Sequence, residues 1–265
     1  MNLLYTALSR WRETLREALF PQGCALCGRA LYKTAGRAGN ENALYGLCGS
    51  CREILVVPRA GRGRCSICGK PLISESGTCL PCRNGPARSF DRVISLFPYA
   101  GKYQKILSAY KFKKHLSLGN FFAEKLRQGL DMLLDSLENS TMNTALFGWT
   151  PVPFRSEKIK QKGWDQIEYL ARLLESSKNK NSIPVRRCLL RLPSESQKEL
   201  NRENRLQNLK GKIIVTNSTA VSRMVPRTAI LFDDVYTTGA TLDACATALK
   251  TGGAERVYGI CLCYD

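Results

Sequence analysis

Eight of the twelve cysteines form four Cys-x-x-Cys pairs in the N-terminal part of the chain. Two-residue spacing lets both thiolates of a pair reach one tetrahedral ion, so four pairs predict two structural zinc sites of four sulfurs each. Disulfides are the alternative, and iron–sulfur ligation is a lesser one. Because the first residues do not resemble a secretory signal, we expect reduced cysteines that bind zinc. The pairs are Cys24/Cys27, Cys48/Cys51, Cys65/Cys68 and Cys79/Cys82.

The order of the pairs favours sequential ligation over a cross-brace. Joining neighbouring pairs closes loops of twenty residues after Cys27 and ten residues after Cys68. Such loops cost less closure entropy than the interleaved loops of a cross-brace. Sulfur would fill all four positions of each ion and leave no place for an activated water, so we expect both zinc ions to be structural rather than catalytic.

Near the C-terminus, an apolar run leads into Asp233 and Asp234 and then into a loop rich in hydroxyl groups and glycine. The run predicts a buried parallel strand, and the loop opens a helix predicted over 241–249. Backbone N–H groups of 237–241 at the helix N-terminus would bind a phosphate, whereas two adjacent carboxylates suit the vicinal hydroxyls of a ribose. The pattern therefore predicts a ribose-phosphate site. An ordinary strand, turn and helix cap is the alternative.

This segment resembles the phosphoribosyl pyrophosphate (PRPP) motif of the type I phosphoribosyltransferases. Apolar residues are followed by two acids, two spacers, two hydroxyl residues, glycine, a spacer and threonine, and every position is matched here. The resemblance implies a catalytic role for Asp233 and Asp234, which would hold the ribose of PRPP bound with Mg²⁺. It also implies a 5′-phosphate loop made of Val235, Tyr236, Thr237, Thr238, Gly239, Ala240 and Thr241.

A second segment, which follows another apolar strand end, resembles the signature of the ComF family. Its members are competence-associated proteins with a zinc-binding N-terminus and a phosphoribosyltransferase domain. The resemblance rests on Pro-Val-Pro, the lysines at 158, 160 and 162, and Gly163-Trp164-Asp165-Gln166. Asp165 places a charge where the family has a neutral amide, so either a ligand contact or a helix N-cap is expected there. The resemblance further implies a pyrophosphate loop at Pro151, Val152, Pro153 and Phe154, and a flexible loop that closes over PRPP at Gln197, Arg202, Arg205 and Asn208.

The formal net charge of +18 biases the chain toward polyanions. Part of that charge can serve PRPP, which is itself highly anionic. A run of five lysines without acids is interleaved with Tyr103, Tyr110 and Phe112. This composition can pair with phosphates and stack on unpaired bases, so it predicts binding of single-stranded nucleic acid. A solvated helix face is the alternative. The lysines are Lys102, Lys105, Lys111, Lys113 and Lys114.

The alternation of helices and strands predicts an α/β fold of the type I phosphoribosyltransferase kind, with a mostly parallel sheet and helices on both faces. A cluster of turn-forming residues at 84–86 marks a boundary. We expect an amphipathic helix over 1–22, a zinc-binding module over 23–86 and the transferase-like domain over 87–265. Strands are predicted at 92–98, 145–152, 185–192, 212–216, 228–232 and 256–263, and further helices at 102–112, 118–134 and 165–174.

The ComF resemblance implies a cytoplasmic protein that acts in natural transformation and handles internalised single-stranded DNA, with other competence proteins as partners. It leaves the reaction open. A phosphoribosyltransferase with an unknown acceptor is expected. The alternatives are a non-catalytic DNA-binding adaptor for which PRPP is a regulatory ligand, and a nucleobase-salvage transferase. No transmembrane segment is visible in the sequence.

Overall fold

The computed structural model describes residues 22–31, 44–57, 63–137, 144–155, 159, 163–176, 183–193, 211–216 and 220–265. Apart from Gln22, the predicted helix over 1–22 lies outside these residues. The candidate closing loop at 197–208 and the lysines at 158, 160 and 162 lie outside them as well. The described residues divide into two compact units, one drawn from 1–56 and 100–122 and the other from 57–99 and 123–265.

Helices and strands alternate through most of the described chain. In chain order the elements are β1 (Gln22–Gly23), β2 (Ala30–Leu31), α1 (Gly49–Glu53), α2 (Leu80–Arg83), β3 (Arg92–Pro98), α3 (Gly101–Lys113), α4 (Leu118–Ser136), β4 (Phe147–Pro151), α5 (Gln166–Glu175), β5 (Leu189–Arg191), β6 (Ile213–Val215), β7 (Thr228–Tyr236), α6 (Ala240–Thr251) and β8 (Arg256–Tyr264).

The first unit contains one cysteine cluster, α3 and the first residues of α4. Its antiparallel pair β1–β2 encloses Cys24 and Cys27 between the two strands. Helix α1 begins directly after Cys48 and carries Cys51 on its buried side. Tyr110 of α3 is fully buried, and its ring centroid lies 5.2 Å from that of Phe122. This unit therefore contains both a cluster of paired cysteines and a buried pair of aromatic rings.

The second unit is built on a four-stranded sheet in the order β3-β8-β7-β4. All three strand pairings are parallel. The two central strands, β7 and β8, are almost entirely buried, as expected for parallel strands covered on both faces. Helix α6 connects β7 to β8, which makes a βαβ unit. The predicted α/β fold with a mostly parallel sheet is confirmed.

Strand β7 is longer than the predicted strand over 228–232. It continues to Tyr236, because β8 runs beside it and the ladder pairs Asp233 with Cys261 and Val235 with Cys263. The two aspartates are therefore part of the strand rather than of the loop after it. Thr237, Thr238 and Gly239 then form the whole connection to α6.

The strand predicted over 185–192 is not continuous, because its two parts pair with different strands. Val185 forms an isolated parallel bridge to Trp149 of β4, where Trp149 donates its amide to Pro184 O and Arg186 donates its amide to Trp149 O. After this bridge the chain leaves the sheet, and β5 pairs antiparallel with β6 instead. Among the described residues, no helix combines the length and the apolar character that crossing a membrane requires.

Candidate phosphate-binding loop and metal sites

The paired cysteines meet in two clusters, and in each cluster the four sulfur atoms lie within 4.8 Å of one another. The clusters combine the first two pairs and the last two pairs, so the predicted sequential ligation is confirmed. The Sγ atoms of Cys27 and Cys48 are 3.7 Å apart, as are those of Cys68 and Cys79. Four sulfurs at about 2.3 Å from a zinc ion form a tetrahedron with edges of about 3.8 Å. The sulfur positions therefore fit zinc, and all twelve cysteines are free thiols.

Each cluster contains one thiol that ionises readily. Burial alone would raise the pKa of Cys65, but backbone N–H donors, that of Cys68 foremost, lower it to about 7. Cys24 behaves in the same way and also has a pKa of about 7. In contrast, burial and the charge of Cys65 raise the pKa of Cys68. Four adjacent thiolates repel one another unless a cation lies among them, which is the donor chemistry of a structural zinc site.

The second cysteine cluster, which we call the second ribbon (residues 63–83), is built into the sheet of the second unit. Val93 of β3 donates its amide to Ile67 O at 2.8 Å, and Ser95 Oγ donates to Cys68 O at 3.1 Å. Gly69 has φ of +70°, and a Cβ on it would lie 2.5 Å from Val93 O. The approach is too close for any side chain, so glycine is required between this ribbon and β3.

The loop between β7 and α6 presents a set of open backbone donors. Among the described residues, the amides of Thr237, Thr238, Gly239 and Thr241 have no hydrogen-bond acceptor, whereas Ala240 donates to Thr238 Oγ1 at 3.3 Å. These amides lie at the N-terminus of a twelve-residue helix, where the helix dipole favours an anion. The geometry is suited to one phosphate group.

Gly239 and Tyr236 determine the path of this loop. Gly239 has φ of +77°, and a Cβ on it would lie 2.5 Å from the hydroxyl oxygen of Tyr236. Tyr236 is itself buried, and burial raises the pKa of its hydroxyl. Lys70 of the second ribbon donates to Asp265 O, and its Nζ lies 5.8 Å from the centroid of the Tyr236 ring. The loop is therefore packed over a fixed aromatic ring.

The two carboxylates before the loop lie in different environments. Asp234 is only 8% exposed, and its Oδ2 accepts a hydrogen bond of 2.8 Å from Gln166 Nε2. Its amide donates to Asp233 Oδ1 at 2.8 Å, while Asp233 is half-buried. The sequence contained no spacing that could link Gln166 to Asp234, because 68 positions separate them. Gln166 thus orients one of the candidate ribose ligands.

Asp165 caps helix α5. Its Oδ1 accepts from the amides of Ile167 at 2.9 Å and Glu168 at 2.8 Å, which is the N-cap arrangement. Burial raises the pKa of Asp165, and the charge of Asp234 acts in the same direction. Of the two roles expected from the sequence, the structure gives Asp165 the helix cap. Because the cap sets the start of α5 at Gln166, it also positions the side chain that donates a hydrogen bond to Asp234.

The candidate pyrophosphate loop begins where β4 ends, at Pro151. Val152 donates its amide to Phe232 O at 3.2 Å, so the loop leaves the sheet beside the residue that precedes Asp233. Among the described residues, the amides of Phe154 and Arg155 have no acceptor. The carboxyl ends of β4 and β7 thus bring both predicted loops to one edge of the sheet, the usual ligand edge of parallel α/β proteins.

The five lysines of the basic run differ in their contacts within the first unit. Lys102 donates to Ile54 O and Lys105 donates to Leu26 O, each at 2.7 Å, so both ammonium groups contact backbone around the first cysteine cluster. Lys113 and Lys114 are exposed at the end of α3, next to Phe112, which is 64% exposed. Lys111 is half-buried. Of the three aromatic residues in the run, Tyr110 is fully buried and cannot stack on a base, contrary to its predicted role.

These features define a class of protein in which an N-terminal, cysteine-rich zinc module precedes a parallel α/β sheet. A family model described as the double zinc ribbon domain matches residues 15–83. Over 212 residues the chain is 27% identical to the competence protein ComFC of Bacillus subtilis, covering 78% of this chain and 79% of that protein. Over 241 residues it is 23% identical to the competence protein ComFC of Streptococcus pneumoniae, covering 88% and 96%. The resemblance to the ComF family is thereby confirmed.

Proposed function

We propose that this chain binds PRPP at the edge of the sheet formed by β4 and β7, and that it is a phosphoribosyltransferase. The observation that carries the proposal is the set of open amides at Thr237, Thr238, Gly239 and Thr241, which follows two adjacent carboxylates in β7. An anion-binding loop directly beyond two acids suits a ligand that has a phosphate at one end and hydroxyls beside it. The matched PRPP motif supports the same ligand.

Different residues of the chain would bind different parts of PRPP. The open amides of the loop after β7 would bind the 5′-phosphate, and the carboxylates of Asp233 and Asp234 would accept hydrogen bonds from the ribose hydroxyls. Gln166 would keep Asp234 in place for this role. The open amides of Phe154 and Arg155 would bind the pyrophosphate. Mg²⁺ bound with PRPP would neutralise the charge of the departing pyrophosphate.

The reaction class is transfer of the ribose phosphate to a nucleophile. As the bond between C1 and the pyrophosphate oxygen breaks, positive charge develops on the ribose ring. The anionic side chains and phosphate oxygens held around the ring would stabilise it. The nucleophile forms a new bond to C1, and pyrophosphate leaves with the electron pair of the broken C1–oxygen bond. A nucleobase, an amine or a group on DNA fits this scheme as acceptor, and a nucleobase would make the chain a salvage transferase.

The two ComFC proteins are named as competence proteins, and this supports a role of the chain in natural transformation. We propose that it acts in the cytoplasm on internalised single-stranded DNA, together with other competence proteins. The exposed end of α3 supports the DNA contact, because Lys113, Lys114 and Phe112 combine two cations with one exposed ring. We name these three residues the α3 tip.

Calorimetric titration of the zinc-loaded protein with PRPP and Mg²⁺ tests the proposal. Replacing both Asp233 and Asp234 by Asn should weaken PRPP binding by about a hundredfold or more, because each charge-assisted hydrogen bond contributes about 1.5–3 kcal/mol. The matched control replaces Asp131 and Asp135, exposed acids of α4, by Asn. The control should bind as the wild type does. Equal loss in both variants, or no PRPP binding by the wild type, contradicts the proposal.

A second candidate is a non-catalytic adaptor that binds DNA and uses PRPP as a regulatory ligand. The observation that favours it is the closed four-sulfur geometry of both metal clusters, which is that of a scaffold. Release of pyrophosphate separates the two functions. PRPP that binds tightly and is never cleaved in the presence of nucleobases, amines or single-stranded DNA indicates the adaptor, whereas acceptor-dependent release of pyrophosphate indicates the enzyme.

A further inference from the structure

The segment that joins the second ribbon to β3, residues 84–91, forms hydrogen bonds with the first two turns of α6. Ser89 donates its amide to Asp243 Oδ1 at 2.7 Å, and its hydroxyl lies 2.8 Å from Thr247 Oγ1. Phe90 belongs to the same buried cluster as Tyr236 and the zinc ligands of this ribbon. The segment therefore connects the second metal cluster to the helix whose N-terminus carries the candidate phosphate loop.

Arg88 reaches the loop from this segment. Its Nη2 donates to Thr238 O at 3.1 Å, so its guanidinium contacts the loop that carries the open amides. The Nε and Nη1 atoms of Arg88 are buried, and neither has a hydrogen-bond partner among the described residues. Nη2 thus holds the loop through Thr238 O, whereas Nε and Nη1 donate no hydrogen bond to the described residues.

Buried and unused donors on a cation are costly. A buried N–H without an acceptor loses the hydrogen bond that it would make with water, and the loss is larger on a charged group. Phosphate oxygens are the acceptors that match a guanidinium best, since two parallel N–H groups can bind two oxygens of one phosphate. The amides of Thr237, Thr238, Gly239 and Thr241 are open on the same loop in the part of the chain that the structure describes. Both sets of donors would be satisfied by one phosphate.

We propose that Arg88 is a direct ligand of the phosphate bound at 237–241, and that the second ribbon holds it there. The candidate zinc ligand Cys79 is the N-cap of α2 and Cys82 lies within this helix. The chain then turns at Gly85, where a Cβ would lie 2.6 Å from Pro81 O. Arg88 comes three residues after this tight turn. The inference rests on the ribose-phosphate function proposed above and adds a ligand that the PRPP motif does not include, supplied by the segment between the second ribbon and β3.

Titration of the full-length, zinc-loaded protein with ribose 5-phosphate tests this role, because that ligand carries the 5′-phosphate without the pyrophosphate. Arg88→Gln should raise the Kd at least about tenfold, which corresponds to one charge-assisted hydrogen bond. The Kd of Arg88→Lys should lie between those of the wild type and Arg88→Gln, since lysine keeps the charge but lacks the paired donors. The matched control is Arg83→Gln, because Arg83 is exposed and donates to Thr78 O within the ribbon. It should leave the Kd unchanged.

A second measurement needs no substitution in the tested protein. In wild-type protein labelled with ¹⁵N, the Nε–H signal of Arg88, assigned by its absence from Arg88→Lys, should shift as ribose 5-phosphate saturates the site. An unshifted signal at saturation overturns the inference, and so does an unchanged Kd in a zinc-loaded Arg88→Gln protein. If that variant does not fold, the signal alone decides.

The outcomes for PRPP and for ribose 5-phosphate separate the two proposals. If the wild type binds PRPP and Arg88→Gln binds it equally well, the role of Arg88 is overturned and the proposed function is left intact. Binding of ribose 5-phosphate that depends on Arg88, without any binding of PRPP, supports Arg88 and contradicts the PRPP function. Binding of neither ligand by the wild type overturns both.

Discussion

Gly239 is the residue on which the shape of the phosphate loop depends most directly. Its φ of +77° disfavours any residue with a side chain, and Tyr236 fills the space that a Cβ would occupy. Because Tyr236 is buried, its ring cannot move aside without disturbing the surrounding core. A side chain at Gly239 would therefore displace the loop amides rather than the ring.

Gly239→Ala should lower the free energy of unfolding by about 1–3 kcal/mol and weaken the binding of ribose 5-phosphate by more than about tenfold. Gly253→Ala is a matched control, because Gly253 also has a positive φ, +102°, but a Cβ there would meet nothing within 4 Å. It should show a stability loss and normal binding. Thermal unfolding and calorimetry measure both quantities. Equal binding by the two variants would show that the contact with Tyr236 is unimportant.

The residues of the candidate site differ in how far the sequence could reveal them. Asp233, Asp234 and the loop after them form one continuous pattern, so local reasoning was sufficient to find them. Arg88 and Gln166 could not be found in this way. Arg88 contacts Thr238 across 150 positions and Gln166 contacts Asp234 across 68, and only the packing of strands and helices brings them together.

At the level of elements, β3 was predicted residue for residue because an apolar run between turn signals leaves little choice. Strand β7 was predicted too short. Its acidic end lacks the apolar signal of a strand, yet pairing with β8 extends it to Tyr236. The strand predicted over 185–192 was too long, because tertiary contacts divide it between β4 and β6. Apolar periodicity thus identified the elements, while strand pairing determined where they end.

Helix α3 carries the proposed contact with single-stranded DNA at its C-terminal end. Lys113→Gln together with Lys114→Gln should flatten the dependence of log K on log salt for an oligothymidylate by about 1.4, or about 0.7 for each phosphate that the protein no longer neutralises. Lys212→Gln with Arg223→Gln is the control, because it removes two exposed charges of the second unit and lowers the net charge equally. Fluorescence anisotropy at several salt concentrations measures the slope. Equal flattening in both variants would mean that binding follows net charge rather than the α3 tip.

At the scale of the whole molecule, the two cysteine clusters have different structural contexts. The first lies in the unit that contains α3, whereas the second shares a buried core with β3, β7 and α6. The sequence predicted a single zinc-binding module over residues 23–86, since four similar pairs give no sign of which partner each cluster packs against. The fold was recognisable because the motif and the strand alternation are local. The attachment of the second ribbon to the sheet depends on contacts such as that of Ile67 with Val93.

Removing the zinc ligands of each cluster in turn should therefore have different consequences. Cys65→Ser with Cys68→Ser should cost one zinc per chain and abolish binding of ribose 5-phosphate, because the second ribbon supports β3, Tyr236 and the proposed ligand Arg88. Cys24→Ser with Cys27→Ser should also cost one zinc but leave the Kd for ribose 5-phosphate within about twofold of the wild type, a difference well below 1 kcal/mol. Metal analysis and calorimetry of the purified proteins measure both effects. Failure of both variants to bind the ligand would show that the first cluster is also needed for the phosphate site, whereas normal binding by both would separate the second ribbon from ligand binding.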